Sequence, residues 1–246
     1  MKTLQIIPLA LLASTAAASV SAQDSAVESP ALKVGDSWLY DDVTEAGATA
    51  YKETRLNLVV ERLNADTMTV GIKHEGAPTA FEDHVVGMDW SQRRLVDGQQ
   101  AVTTKPFEFP LNIGRKWTVD YIDATRRGNQ LSSHVRRTYS VSGWTDITVP
   151  AGHFHAIEVV ADGVDEATIA VPAMAGSAVV ASSGGSTSMS HAQRGGVGKI
   201  IRPTHAEFYY VPALKNVAKS IEEQYNTDNV RLTRQTRTLI TFTPST

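Results

Sequence analysis

Apolar and polar residues alternate along most of this chain in short runs separated by turn residues, the two-residue period of strands that bury one face. Within residues 52–62, Leu56, Leu58 and Val60 share one face, with Asn57, Val59 and Glu61 opposite. Asn64-Ala65-Asp66 has turn chemistry, and Met68, Val70 and Ile72 then resume the alternation, which predicts a β-hairpin. Trp117, Val119 and Tyr121 form a further face, as do Val135, Tyr139 and Val141. Val149-Pro150-Ala151-Gly152 is a tight turn leading into a strand over 153–160. Towards the carboxyl end, Val230 and Leu232 alternate in phase with Ile240 and Phe242. Strand following strand through short turns predicts an all-β fold with little helix. Its expected form is an antiparallel meander making a curved sheet, either a half-open barrel or a sandwich.

Two segments depart from this pattern. Leu214, Val217, Ala218, Ile221 and Tyr225 fit helical spacing, yet Val217, Ile221 and Tyr225 also share a strand face. A strand is the favoured reading of 213–225. Residues 173–198 are rich in Ala, Gly and Ser and predict a flexible insertion, within which Ala178-Val179-Val180-Ala181 could pair as a short hairpin arm.

The amino-terminal residues change the picture of where such a domain works. Lys2 precedes an apolar stretch at 4–13, broken only by Gln5 and Pro8, and small residues lead to Val20-Ser21-Ala22. This is the layout of a secretory signal peptide over residues 1–22, cleaved after Ala22. The stretch is too short to span a hydrocarbon core that needs about 20 apolar residues, so cleavage is preferred over an anchor. The reading places the protein in the periplasm or outside the cell, with no transmembrane span after cleavage. A disordered lead over 23–32 and a single β domain over 33–246 are expected to follow. The formal net charge of −3 lacks the basic excess of a nucleic-acid binder. The absence of cysteine excludes disulfides, thiolate metal sites and a lipidated cysteine after the apolar run.

Three stretches carry a family likeness. Pro110-Leu111-Asn112-Ile113-Gly114-Arg115-Lys116-Trp117 has the form PLxxGxxW, and Val149-Pro150-Ala151-Gly152-His153-Phe154-His155-Ala156 the form VPAGxFxA. Tyr209-Tyr210-Val211-Pro212 then precedes a strand-like run. Together they resemble a group of uncharacterised bacterial secreted or periplasmic β-proteins, a domain of unknown function. The resemblance implies an all-β fold, an envelope location and a strand at 217–225, and it supplies no catalytic residues. The insertion at 173–198 departs from the shorter connection of that pattern.

Candidate chemistry is sparse. His153 and His155, two apart on a predicted strand, point to one face and form a weak candidate metal pair. His205 with Glu207 and Glu82 with His84 repeat the spacing. The favoured reading is solvated strand positions, with no metal and no cofactor. No nucleophile elbow, zinc-protease helix or phosphate-binding glycine loop occurs, and a non-enzyme is expected. Arg137 shares a face with Val135, Tyr139 and Val141, while Arg234 is in phase with Val230, Leu232 and Ile240. If those faces point inward, both guanidinium groups need a carboxylate such as Glu158 or Glu223, or an anionic ligand, unless they reach out to water. Tyr209, Tyr210, Trp117 and Trp144 complete the candidate lining, though such residues are more often simple core. Trp117 and Phe154 are expected to anchor the core. The expectation is therefore a non-catalytic envelope protein binding a small apolar or amphipathic ligand in a curved sheet. Its alternatives are a protein that docks on another envelope component, or a hydrolytic or metal-dependent enzyme.

Overall fold

The computed structural model describes residues 26–245 except 172–173, 183–184 and 194, and of 174–182 and 185–193 the backbone alone. The alternating runs form strands β1 (Ser37–Ala46), β2 (Ala50–Leu63), β3 (Thr67–His74), β4 (Glu82–Gly87), β5 (Gln92–Val96) and β6 (Gln99–Thr104). After a connection over 105–115 come β7 (Lys116–Asp123), β8 (Gln130–Val149) and β9 (Gly152–Val171). A hairpin of β10 (Met174–Ser182) and β11 (Gly185–Gln193) precedes β12 (Gly196–Val211), β13 (Asn216–Tyr225) and β14 (Arg231–Thr243). Twelve of these strands make one antiparallel sheet in the order β6-β5-β4-β3-β2-β1-β14-β13-β12-β9-β8-β7. The sheet curls into a nearly closed barrel that brings β6 against β7. Hydrogen bonds cross that seam: the Ala124 N–H donates to the Asp97 carboxylate at 3.1 Å, and the Trp117 indole donates to the Lys105 carbonyl at 2.8 Å. Closure of this kind shields the exposed edges that an open sheet would leave.

One end of the barrel is sealed by its own chain. A single 3-10 turn at Pro212–Leu214 ends at Lys215 in the left-handed region, with φ of 58°. Three aromatic donors hold the carbonyls of this crossing: Trp38 to Leu214 at 2.8 Å, Trp90 to Lys215 at 3.1 Å, and Tyr40 to Val217 at 2.8 Å. Below it Asp36, fully buried, accepts from the Lys215 ammonium at 2.7 Å and from the backbone N–H groups of Lys33 (2.8 Å) and Ser245 (2.9 Å). The core lies at this end, where Trp38, Tyr40, Phe107, Tyr139 and Tyr210 are almost wholly buried.

Several expectations are corrected here. The lead over 23–32 packs where it is described: Val27 pairs with Leu111, and Val27 and Leu32 are buried in the core. Two large apolar side chains in a segment of otherwise small or polar residues suffice to tether it, since each fully buried side chain of that kind contributes about 1.5–3 kcal/mol. Residues 216–225 are strand, as favoured, and the segment over 173–198 contains the two-stranded β10–β11 hairpin, paired to itself and not to the main sheet. The phase expected at the carboxyl end breaks at Ile240. The β1–β14 ladder passes from Leu39 opposite Thr241 to Tyr40 opposite Leu239, so Ile240 is an unpaired bulge residue. A bulge reverses the faces beyond it. Leu239, Arg237, Gln235 and Thr233 therefore point inward, and Arg234 belongs to the outer face. The signal peptide over 1–22 lies outside the described residues.

Candidate functional site

The register of the ladders shows what fills the lumen from the sealed end to the open one. Val141, Val159, Phe208, Ser220, Arg237 and Asp42 lie opposite one another around the wall. The next row towards the mouth holds Tyr139, Ala161, Ala206, Glu222, Gln235 and Thr44. Beyond it come Arg137, Gly163, Thr204, Gln224 and Thr233, then Val135, Asp165 and Arg202. The interior thus changes from aromatic and aliphatic to polar along its axis. It also narrows in side-chain volume on two adjacent strands, where Ala161 and Gly163 of β9 face Ala206 and Thr204 of β12. Small side chains on neighbouring strands leave the lumen unfilled at that level.

The result is a cavity of about 310 Å³ bordered by Arg137, Ala161, Thr204, Ala206, Glu222 and Gln235 among others. A second hollow of about 130 Å³ adjoins it at Glu222 and runs down to Tyr40, Phe107 and Phe208. A third, of about 200 Å³, opens at the mouth between Arg94, Tyr121, Asp165 and Arg202.

The charges inside are unequally satisfied. Asp42 is buried and fully engaged, with Arg237 donating through Nη2 at 2.8 Å and Nε at 3.1 Å and Gln235 donating at 2.8 Å. Arg137 is held far more loosely, its nearest carboxylate, Asp165, lying 3.9 Å away. That is beyond hydrogen-bond reach. Arg137 Nε, Asp165 Oδ1 and Thr204 Oγ1 are buried atoms without a hydrogen-bond partner. Buried polar atoms in folded proteins are nearly always bonded, so these orphans, Arg137 and Thr204 on the larger cavity and Asp165 on the hollow at the mouth, mark groups available to a ligand. Burial pushes the Tyr139 phenol above its ordinary range, with the Arg137 charge pulling the other way.

Of the expected site residues, Arg137 and Arg234 both border the 310 Å³ cavity. Their roles differ, because Arg234 stands on the outer face at its edge with Nε 3.6 Å from Glu223. Tyr209 also faces outward, its hydroxyl donating to Glu207 at 2.8 Å. Tyr210 is core, 4.9 Å between ring centroids from Phe107 and 5.4 Å from Phe109. Trp144 sits at the sealed end beside Val27, Pro30 and Tyr210 and stacks on His155 at 4.9 Å. None of these three aromatics lines the lumen cavity. Trp117 is buried and stacks parallel to Tyr139 at 5.5 Å, whereas Phe154 is only half-buried at the margin of the core. His153 and His155 are exposed, the first against Thr148 and the second against Asp146. Among the described residues no three His, Asp or Glu side chains are grouped to hold a metal ion. Arg94, Arg202, Thr204 and Glu222 were not singled out from the sequence. The signal was present on β12, where Arg202 and Thr204 are in phase with Ala206 and Phe208.

No family model and no curated protein matches this chain. Solved structures similar to it include a candidate lipoprotein of Parabacteroides distasonis, 12% identical, covering 89% of this chain and 100% of that one, with a TM-score of 0.44. A candidate exported protein with a YmcC-like fold from Bacteroides fragilis is 13% identical over 89% of this chain and 100% of that one, with a TM-score of 0.38. The hypothetical lipoprotein YmcC of Escherichia coli is 10% identical over 85% and 86%, with a TM-score of 0.35. At these scores the likeness carries no argument about function, and the site must be read from its own chemistry.

Proposed function

We propose that this is an exported, non-catalytic envelope protein whose barrel lumen holds a small amphipathic molecule. The observation that carries the reading is the gradient along the lumen. A cavity of about 310 Å³ among polar side chains adjoins, at Glu222, a smaller hollow over Tyr40, Phe107 and Phe208. The cavity falls at the lower end of the about 300–1,000 Å³ of small-molecule sites, which combine apolar walls with a few placed polar groups. Export rests on the leader pattern of residues 1–22 alone. The rival reading, docking through a sheet edge, is less supported because β6 and β7 face each other.

A direct test titrates the purified protein with N-phenyl-1-naphthylamine, a neutral dye that fluoresces in apolar surroundings. Saturable enhancement, together with an amphiphile extracted from protein purified from its own envelope, is expected. No enhancement and no extractable molecule would sink the reading.

A further inference from the structure

Resting on the reading of the lumen as a ligand site, we propose that Arg94, Arg137 and Arg202 form an oxyanion-binding site around Asp165 at its mouth. The site would seat the carboxylate or phosphate head of the amphiphile.

The charge balance there is the first argument. Arg202 stands opposite Asp165 on the adjacent strand, and Arg137 reaches the same carboxylate from the other side at 3.9 Å. Arg94 joins Asp165 and Arg202 in lining the hollow at the mouth. The other acids of that hollow already have cations, Asp123 being paired with Arg127 at 3.2 Å and Glu166 with Lys199 at 2.6 Å. Among the described residues Arg94 and Arg202 form no ion pair, which leaves three guanidinium groups to one carboxylate. Tyr121 lies among them; burial and the Asp165 charge raise its phenol, while Arg137 and Arg94 pull it back. Glu222 is the opposing charge, on the far wall of the larger cavity, and it disfavours an anion seated deeper.

The second argument is that the backbone makes room for Arg137. A Cβ added to Gly163 would collide with the Arg136 carbonyl oxygen and stand 2.6 Å from Arg137 Cγ. The arginine therefore lies across a glycine and into the lumen, its Nε still without a partner. A guanidinium is costly to bury unless it is paired, and its fork of donors matches a carboxylate or phosphate in two parallel bonds. Asp165 is the resident counter-ion that an incoming head would displace or share.

The test uses displacement of bound N-phenyl-1-naphthylamine by dodecanol, dodecanoate and dodecyl phosphate below their micelle concentrations. Both anions should displace the dye at a concentration about tenfold lower than dodecanol, a difference of about 1.4 kcal/mol. The better of the two identifies the head group. Arg202→Gln and Arg137→Lys should each reduce that advantage and leave dodecanol unchanged. Asp165→Asn should enlarge it, a sign that general damage to the fold would not produce. Thermal melts of the three variants confirm that they fold. Equal displacement by all three competitors, or a loss of anion preference in Asp165→Asn, would overturn the anion site and leave the lumen reading standing. Failure of the dye and every competitor to bind would remove both.

Discussion

At the scale of single residues, Trp117 and Asp36 show how differently two buried groups stabilise the barrel. Trp117 contributes area and one seam-crossing bond, from its indole to the Lys105 carbonyl at 2.8 Å, while its ring lies parallel to Tyr139. Truncating such a ring usually costs about 3–5 kcal/mol. Trp117→Ala should therefore lower stability in urea by that amount, Phe154→Ala by less because it is half-buried, and exposed His155→Ala by within about 0.5 kcal/mol. A Trp117→Ala protein as stable as wild type would mean that the seam does not depend on this ring. Asp36 works through charge. Burial alone would raise its carboxyl, but the Lys215 ammonium and the N–H groups of Ser245 and Lys33 outweigh it and hold the group below its ordinary value. A folded pKa below the unfolded one gives stability that is complete above the unfolded value and is lost as pH falls through the folded one. Asp36→Ala should cost about 3 kcal/mol at neutral pH, in the range for breaking a buried pair. The gap between variant and wild type in urea should narrow steadily below about pH 4. A gap that stays constant to pH 2.5 would show that the carboxylate charge is not what holds the crossing at Pro212–Leu214.

At the scale of elements, the β2–β3 hairpin was legible in all but the bulge at Glu61. Leu56, Leu58 and Val60 alternate without interruption, Asn64-Ala65-Asp66 is the turn, and all three apolar residues are buried. Arg137 was placed correctly for the same reason, on an unbroken run with Val135, Tyr139 and Val141. Arg234 was not, because Ile240 bulges between it and the aromatic end of β14, and one extra residue reverses a face without altering the composition of the run. Tyr209 and Tyr210 are a different case: the extra residue of the neighbouring shift is Ala218 of β13, and the phase of β12 runs unbroken from Ala206 through Phe208 to Tyr210, which leaves Tyr209 on the opposite face. Gly163 and Ala206, which hollow out the lumen, carry no signal by themselves, and their effect arises only when β9 and β12 are neighbours. The β10–β11 hairpin leads to a separate prediction. Its strands pair with each other and not with the twelve-stranded sheet, so replacing residues 177–195 by a short Gly-Ser linker should leave the melting midpoint nearly unchanged. A drop of several kcal/mol would mean that this hairpin braces the mouth of the barrel.

For the whole molecule, the arrangement implies a trade between stability and capacity. A chain of this size without cysteine depends on burial, yet it leaves about 310 Å³ open between Ala161, Ala206 and Arg137. Close packing is the normal state of a protein interior, and filling a void usually stabilises when the added group fits. A hollow kept at the expense of packing is what a binding protein needs and what a purely structural domain would be expected to lose. Ala206 is the position that separates the two descriptions, being an inward residue of β12 flanked by Ala161 and Glu222 on the neighbouring strands. Ala206→Leu directs its new methyl groups into open space, so its melting midpoint should equal or exceed that of the wild type. The same variant should lose saturable binding of N-phenyl-1-naphthylamine, because the passage from the charged mouth to the aromatic floor is obstructed. A variant that binds the dye as wild type does would place the dye elsewhere and detach the cavity from ligand binding. One that melts many degrees lower would show that the space is already closed by tight packing, and the gradient along the lumen would then describe a core rather than a site.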